Sequence, residues 1–98
     1  MTTTIFATVQ AKPEFTGQVL AALRKMILPT RAEVGCVRYE LYQSEEQAAA
    51  YHLLETYIDD EALVRHHQSS HFAELLTGLT DKLAIDIQIK RLGAIDDQ

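Results

Sequence analysis

The sequence predicts a single α+β domain, an antiparallel four-stranded sheet with its helices on one side in the split βαβ order β-α-β-β-α-α-β. Three observations predict it. Four stretches, 3–11, 36–43, 49–57 and 84–92, alternate residue types with the period of a strand. The stretches between the first and second, and between the third and fourth, change to helical spacing. Finally, 98 residues that are 47% hydrophobic, without linker, repeat or low-complexity stretch, suit one modest core, so residues 1–98 are read as one domain.

In the first strand Thr3, Ile5, Ala7, Val9 and Ala11 alternate with Thr4, Phe6, Thr8 and Gln10, and Lys12-Pro13 ends it. From Glu14 onward Phe15, Val19, Ala22, Leu23, Met26 and Ile27 share one face of an amphipathic helix. Pro29 has no backbone donor and is expected to kink or end that helix, with Thr30 to Glu33 as an irregular last turn and Gly35 giving freedom to turn. Next, Val37, Tyr39 and Leu41 oppose Arg38, Glu40 and Tyr42. After the polar link Ser44 to Gln47, Tyr51, Leu53, Glu55 and Tyr57 oppose His52, Leu54 and Thr56, which completes an antiparallel hairpin. Asp59 is an N-cap followed by acidic residues and starts a short helix over 60–68. Ser69 or Ser70 caps another, with Phe72, Leu75, Leu76, Leu79 and Leu83 at helical spacing and Gly78 an interior weakness of about 1 kcal/mol relative to Ala. Ile85, Ile87 and Ile89 share a face of the closing strand, and 93–98 is a frayed tail.

A net charge of −5, a pI near 5.2 and the lack of a basic patch argue against a nucleic-acid or anionic-membrane surface. Cys36 is the one cysteine, so no internal disulfide forms. No basic segment followed by an apolar stretch opens the chain, and no apolar run approaches the roughly 20 residues that cross a bilayer, so a cytoplasmic location is expected. One sheet face packs on the helices. The other, with Thr, Tyr and Ile side chains available, is too apolar for water alone, which predicts a homodimer joined sheet to sheet.

Titratable residues gather between Tyr51 and Phe72, where Glu55, Tyr57, His66, His67 and His71 lie beside apolar positions. Burying such groups costs free energy unless they are paired. His66 shares the inward face of Ala62 and Leu63, either as a half-buried histidine bonded to backbone or as an acid–base group. His71 precedes Phe72 at a helix start, where a capping role competes with a functional one. His67 and His52 read as surface residues. Glu55 shares a face with Leu53, so its carboxyl should be buried with a raised pKa unless an imidazolium lies beside it; a structural Glu–His pair would have the same sequence. For a metal, His67 and His71 are the pair at helical spacing and Glu55 the acid. The helix break at Ser69-Ser70 separates their faces, and no HExxH or Cys-His framework is present, so no metal is expected. Cys36 reads as buried and inert, and the Tyr39, Tyr42 and Tyr51 set as sheet packing. Arg31 is either a cation for an anionic substrate group or a salt-bridge partner of Glu33 or Glu40. No Gly-rich phosphate loop and no Ser-His-Asp order occurs.

Residues 28–42, LPTRAEVGCVRYELY, and 51–76, YHLLETYIDDEALVRHHQSSHFAELL, carry three motifs: a Pro-Thr-Arg-x-Glu-x-Gly-Cys turn, a Leu-Glu-x-aromatic strand end and a Glu-Ala-Leu-x-x-His-x-x-Ser-x-His-Phe helix. In these the chain resembles the antibiotic-biosynthesis monooxygenase family. The resemblance spans nearly the whole chain and implies a dimeric α+β barrel of two ferredoxin-like subunits, each with a pocket between sheet and helices. Known members act on quinols or polyphenols without metal or flavin, degrade haem, isomerise a phosphorylated sugar-like signal, or have no known activity. The haem-degrading branch relies on an Asn and a Trp, the Trp matching Tyr57, and this sequence contains neither residue type, which argues against haem.

The resulting reading is a cofactor-independent monooxygenase of a small quinol- or polyphenol-type aromatic. A neutral histidine, His66 or His71, takes the phenolic proton and the other acts as the later donor, while the phenolate passes an electron to O2 in a dry pocket. Glu55 sets the tautomer, Tyr57, Phe72 and Leu76 wall the ring, and Arg31 is the candidate for an anionic substituent. The alternatives are an isomerase of a small carbonyl compound with the same acid and base, and a ligand-binding dimer without catalysis.

Overall fold

Along β1 (Thr3–Gln10) every odd residue is buried and every even one is half-buried, so one sheet face lies against helices and the other does not. The computed structural model describes residues 1–95 and adds α1 (Thr16–Lys25), α2 (Ile27–Arg31), β2 (Cys36–Gln43), β3 (Ala50–Tyr57), α3 (Asp60–His67), α4 (Ser70–Leu79) and β4 (Gln88–Leu92). The strands lie in the order β2-β3-β1-β4 with all neighbours antiparallel, the expected ferredoxin-like α+β arrangement. Among the described residues, no helix is long and apolar enough to cross a membrane.

α1 presses Val19 and Leu23 onto the sheet and α4 adds Leu75 and Leu79, so that with Val9, Tyr39, Tyr51 and Leu53 they form the larger apolar cluster. Each fully buried aliphatic side chain contributes roughly 1.5–3 kcal/mol relative to exposure. A smaller cluster, Ile5, Tyr57, Ala62 and Leu63, lies under α3. His66 sits at the seam, its ring centroid 5.9 Å from that of Tyr39 in one cluster and 5.3 Å from that of Tyr57 in the other.

Several local expectations change for identifiable reasons. The helix expected from Glu14 opens as a 3-10 turn over Pro13–Phe15 and breaks at Met26, with Pro29 inside α2. The missing proline N–H is the one that would reach the Lys25 carbonyl four residues back, so the fracture falls a turn ahead of the proline. Val37 is exposed, not inward with Tyr39, because the β2–β3 register shifts between Cys36 and Arg38. The closing strand is interrupted: Ala11 faces Leu83 and Thr8 faces Gln88, so three steps along β1 match five along the returning chain and two extra residues loop out. Every residue of β4 is exposed, including Ile89, which pairs with Ala7. Gly93 to Ile95 form no regular element, and 96–98, the rest of the expected tail, lie outside the described residues.

The sheet face away from the helices carries Thr4, Phe6, Thr8, His52, Leu54 and Thr56, all half-buried, while Ile5, Val9, Tyr39 and Tyr51 point to the helix side. The Thr8 hydroxyl and His52 Nδ1 are hydrogen-bonded at 3.1 Å, and the Phe6 and His52 rings stack with centroids 5.1 Å apart.

Gly35 works by having no side chain, since no glycine among the described residues adopts a positive φ. A Cβ at this position would overlap that of Ala62 and lie 3.4 Å from Ile58 Cγ1. The Ile58 N–H also donates to the Gly35 carbonyl at 2.9 Å. Bare backbone here lets α3 close on the turn that follows α2. Gly35→Ala is therefore expected to destabilise the domain by roughly 1–3 kcal/mol through overpacking, lowering the melting temperature by roughly 5–15 °C. Gly17→Ala, at a position with open space around it, should raise it slightly by helix propensity. Circular-dichroism melts check the pair, and a Gly35→Ala protein that melts with the wild type would remove the close contact from this account.

Candidate active site

Three chain turns deliver the polar side chains to the seam. Asp59 caps α3, its carboxylate accepting the Ala62 N–H at 2.8 Å, and the helix then buries Ala62, Leu63 and His66 on one face. Ser69 separates α3 from α4: its hydroxyl donates to the His66 carbonyl at 2.6 Å and accepts the Phe72 N–H at 3.2 Å. Glu33 lies in the turn between α2 and β2, where its N–H donates to the Thr30 carbonyl and its own carbonyl accepts from Cys36. Strand alternation on β3 supplies Glu55 and Tyr57 from the sheet side.

One oxygen is the centre of the arrangement. Oε2 of Glu33 accepts from His66 Nδ1 at 2.8 Å and from His71 Nε2 at 2.5 Å. On the other side of the ring, His66 Nε2 lies 3.8 Å from Glu55 Oε1, which accepts the Tyr57 hydroxyl at 2.6 Å. A separation of 3.8 Å is too long for a hydrogen bond, so Glu33, not Glu55, fixes the His66 tautomer. Aromatic rings close the space around His66, with the Phe72 centroid at 5.4 Å and that of His67 at 5.5 Å. The His66 side chain is 2% exposed, whereas those of Glu33 and His71 are 19% and 21% exposed.

Burial dominates the electrostatics. It pushes Glu55 up to about 7, against the Tyr57 hydrogen bond that favours the carboxylate, and the nearby Glu33 charge adds to the rise. Burial also lowers the His66 pKa, although the Glu33 hydrogen bond and charge oppose that shift. The ring is therefore neutral near pH 7, with a proton on Nδ1. Burial raises the Tyr57 phenol above its usual range, helped by the Glu55 charge, and raises the Cys36 thiol, helped by Glu33 and Glu55. Cys36 is thus held as the unreactive thiol.

His66, His71, Glu55, Tyr57 and Phe72 lie in one cluster, but Tyr57, expected to wall a substrate ring, is fully buried, and Glu55 does not fix the tautomer; two further residues stand apart from the cluster. Leu76 is 45% exposed, because Leu75 and Leu79 occupy the inward stripe of α4 and a residue one position past Leu75 is rotated away from it. Arg31 makes neither anticipated salt bridge. Its Nε–H and Nη2–H groups donate to the Tyr39 carbonyl at 3.1 and 2.8 Å, tying the end of α2 to the edge strand β2. Glu33 is the residue that periodicity missed, and its only sequence signal is its place in the Pro-Thr-Arg-x-Glu-x-Gly-Cys turn. Among the described residues, the set able to hold a metal is likewise Glu33, His66 and His71, with donor atoms within 4.8 Å of one another, and not His67, His71 and Glu55. The break at Ser69 brings two imidazoles together where a continuous helix would have parted them.

Two surface depressions flank this cluster. A groove of about 390 Å³ runs between α1 and α4, with Ala22, Lys25, Met26, His71, Leu75 and Gly78 among its walls. A smaller one of about 240 Å³ is lined by Glu33, Gly35, Ala62, Arg65 and Ser69. His66 lines neither, so the open members of the triad are Glu33 and His71.

Residues 2–77 match the family described as Antibiotic biosynthesis monooxygenase. Rv0793 of Mycobacterium tuberculosis is 30% identical over 93 residues, covering 95% of this chain and 91% of the relative. Its solved structure superposes with a TM-score of 0.92, covering 99% of this chain and 98% of the other. PA3566 of Pseudomonas aeruginosa is 30% identical, with a TM-score of 0.92 over 97% of this chain and 95% of the other. A crystal structure of an antibiotic biosynthesis monooxygenase is 25% identical, with a TM-score of 0.90 over 98% and 100% of the two chains. The protein sll1783 of Synechocystis is 29% identical over 82 residues, and there the chain spans 84% of its own length but only 56% of the relative's.

The Glu55 shift has a measurable consequence for stability. The folded pKa lies above the ordinary 4.5, so between 4.5 and about 7 the native state keeps a proton that the unfolded chain has released, and this group's contribution falls as pH rises through that window. His66 contributes in the opposite sense. Its lowered pKa makes the unfolded chain the better proton binder at and below the ordinary 6.5, so its contribution is lost as pH falls. Comparing wild type with Glu55→Gln isolates the carboxyl: the variant's melting temperature relative to wild type should climb as pH goes from about 5 to about 7.5. A difference that stays flat with pH would mean that Glu55 is not the buried acid described.

Proposed function

We propose that this chain, which belongs to the antibiotic biosynthesis monooxygenase family, inserts one atom of O2 into a small quinol- or polyphenol-type aromatic without metal or flavin. The observation that supports this reading is the single Glu33 oxygen shared by a closed imidazole and an open one. Because His71 gives its Nε2–H to Glu33, Nδ1 is the nitrogen left to accept a proton. The groove between α1 and α4, of which His71 is a wall, is the space assigned to the substrate. Glu33 holds the ring and stabilises the imidazolium that forms, as a carboxylate behind a catalytic imidazole does. His66, closed and neutral, holds Glu33 from behind and is a positioning residue.

In this mechanism His71 takes the phenolic proton, and the phenolate passes one electron to O2. The aryloxyl and superoxide radicals join at a ring carbon bearing hydrogen, and the peroxide takes the proton back from His71. The imidazole then removes the ring C–H proton as the O–O bond breaks, a quinone carbonyl forms, and the departing hydroxide leaves with that proton as water. One oxygen atom enters the ring, the other becomes water, and the substrate supplies every electron. An isomerase of a small carbonyl compound would use the same His71 and Glu33 without O2.

Oxygen uptake with a panel of dihydroxyarenes, on protein dialysed against a chelator, tests the reaction. His71→Gln should lower turnover by roughly 100-fold or more with folding retained, and Glu33→Gln should lower it by less if the carboxylate only holds the ring. Full uptake by His71→Gln would retire the base. Uptake lost on chelation would retire the metal-free step, and proton exchange at a substrate carbon without uptake would favour the isomerase.

The same reading includes a homodimer. Phe6 and Leu54 lie on the uncovered sheet face, and Leu92 of β4, which pairs with Thr4 of that face, is about half exposed. Covering them with a second copy gains roughly 25 cal/mol per Å² of apolar area. Light scattering should give twice the chain mass, and a clean monomer at micromolar concentration would remove the barrel.

A further inference from the structure

We propose that Glu33, His66 and His71 form a binding site for a divalent ion of the zinc class. Two imidazole nitrogens and one carboxylate oxygen are the donors that borderline-soft ions favour, whereas calcium and magnesium call for oxygen-rich sets. The three donor atoms lie within 4.8 Å of one another and come from three segments, each fixed by contacts of its own. His66 is held by the rings of Tyr57 and Phe72, with centroids 5.3 and 5.4 Å away. His71 sits in the first turn of α4, capped by Ser69. Glu33 lies in the turn against which α3 packs at Gly35.

The hydrogen-bonded distances of 2.8 and 2.5 Å are shorter than the spacing between ligands of an ion. That spacing is about 3.3 Å for a tetrahedron with bonds near 2.0 Å. The carboxylate must therefore draw back by less than about 1 Å, and the two imidazole nitrogens, within 4.8 Å of one another, must close to the same spacing. It has room, since Glu33 lines the 240 Å³ depression beside Gly35 and Ser69. The half-buried His71 and Glu33 give the ion its way in, and a water completes the fourth position.

Binding also has a chemical consequence, and this part alone rests on the function proposed above. An imidazole that gives Nε2 to an ion carries its proton on Nδ1, so His71 loses the nitrogen that accepts the substrate proton. Zinc should then act as an inhibitor of the oxygenase step.

Chelator-dialysed protein is titrated with zinc chloride by calorimetry and with cobalt(II) by visible absorption. The expected result is one equivalent per chain, with affinity weakened roughly 10-fold or more in His71→Gln and in Glu33→Gln. Both replaced side chains are partly exposed, and melting curves verify that the variants fold. His52→Gln, on the opposite face of the sheet, should bind as wild type does. No binding up to about 1 mM zinc, or binding that His71→Gln and Glu33→Gln leave intact, overturns the site. Stoichiometric binding with undiminished oxygen uptake overturns the inhibition and leaves the site standing. Because binding is read without substrate, a chain that never consumes oxygen still tests it.

Discussion

A single carboxylate oxygen answers two imidazoles, and the packing around it makes that possible. Burying His66 to 1% exposure costs free energy unless a nitrogen is paired, and the partner is Glu33 from the turn before β2. For residue 33 to reach residue 66, α3 must press onto that turn, and it presses where Gly35 offers no Cβ against Ala62. For His71 to reach the same oxygen, the chain must break between α3 and α4, and the Ser69 hydroxyl holds the break from both sides. Backbone shape, helix capping and polar pairing thus converge on one atom. A change in any of them is felt at the other two.

Two carboxylates address opposite nitrogens of His66, and distance and burial decide between them. Charge attraction alone would favour an imidazolium held by both. Glu33, at 2.8 Å, makes the real hydrogen bond, while Glu55, at 3.8 Å, offers only a field. Within the seam, desolvation outweighs that field: the ring resists a second proton and Glu55 rises to about 7. The Tyr57 hydroxyl, which would steady a carboxylate, narrows the shift without reversing it. Near neutrality the ring is neutral and the Glu55 carboxyl is about half protonated, with Glu33 at the edge of the protein linking His66 to the more exposed His71.

What the sequence makes legible here is what repeats locally. Period two places Ile5, Leu53, Glu55 and Tyr57 on the helix side, and the spacing of Ala62, Leu63 and His66 places that histidine inward; both patterns survive folding because they belong to the element itself. The Glu33 contacts belong to no element. Its partners lie in α3 and α4, and its nearest basic neighbour in sequence, Arg31, is occupied by the Tyr39 carbonyl on the edge strand. The loop-out before β4 is hidden for the same reason, since it is a mismatch between two strands, not a property of either. A helix break is ambiguous in a different way. Read along one helix it separates His67 from His71, but folded back at Ser69 it joins His66 to His71.

Likeness of fold and assignment of chemistry therefore rest on different residues. Rv0793 and PA3566 are 29% and 30% identical to this chain and share almost all of its backbone course, with TM-scores of 0.92. That agreement follows from the alternating strands and the apolar stripes of α1 and α4, which many sequences satisfy. It does not choose between two histidines. For the reaction proposed here exposure does, because a base must meet the proton it takes: His66 is enclosed by Tyr39, Tyr57 and Phe72, while His71 forms part of an open groove. The more buried histidine, which periodicity makes the more conspicuous, is then the less suited to touch a substrate. Its contribution in the proposed reaction is to hold Glu33 in place beside His71.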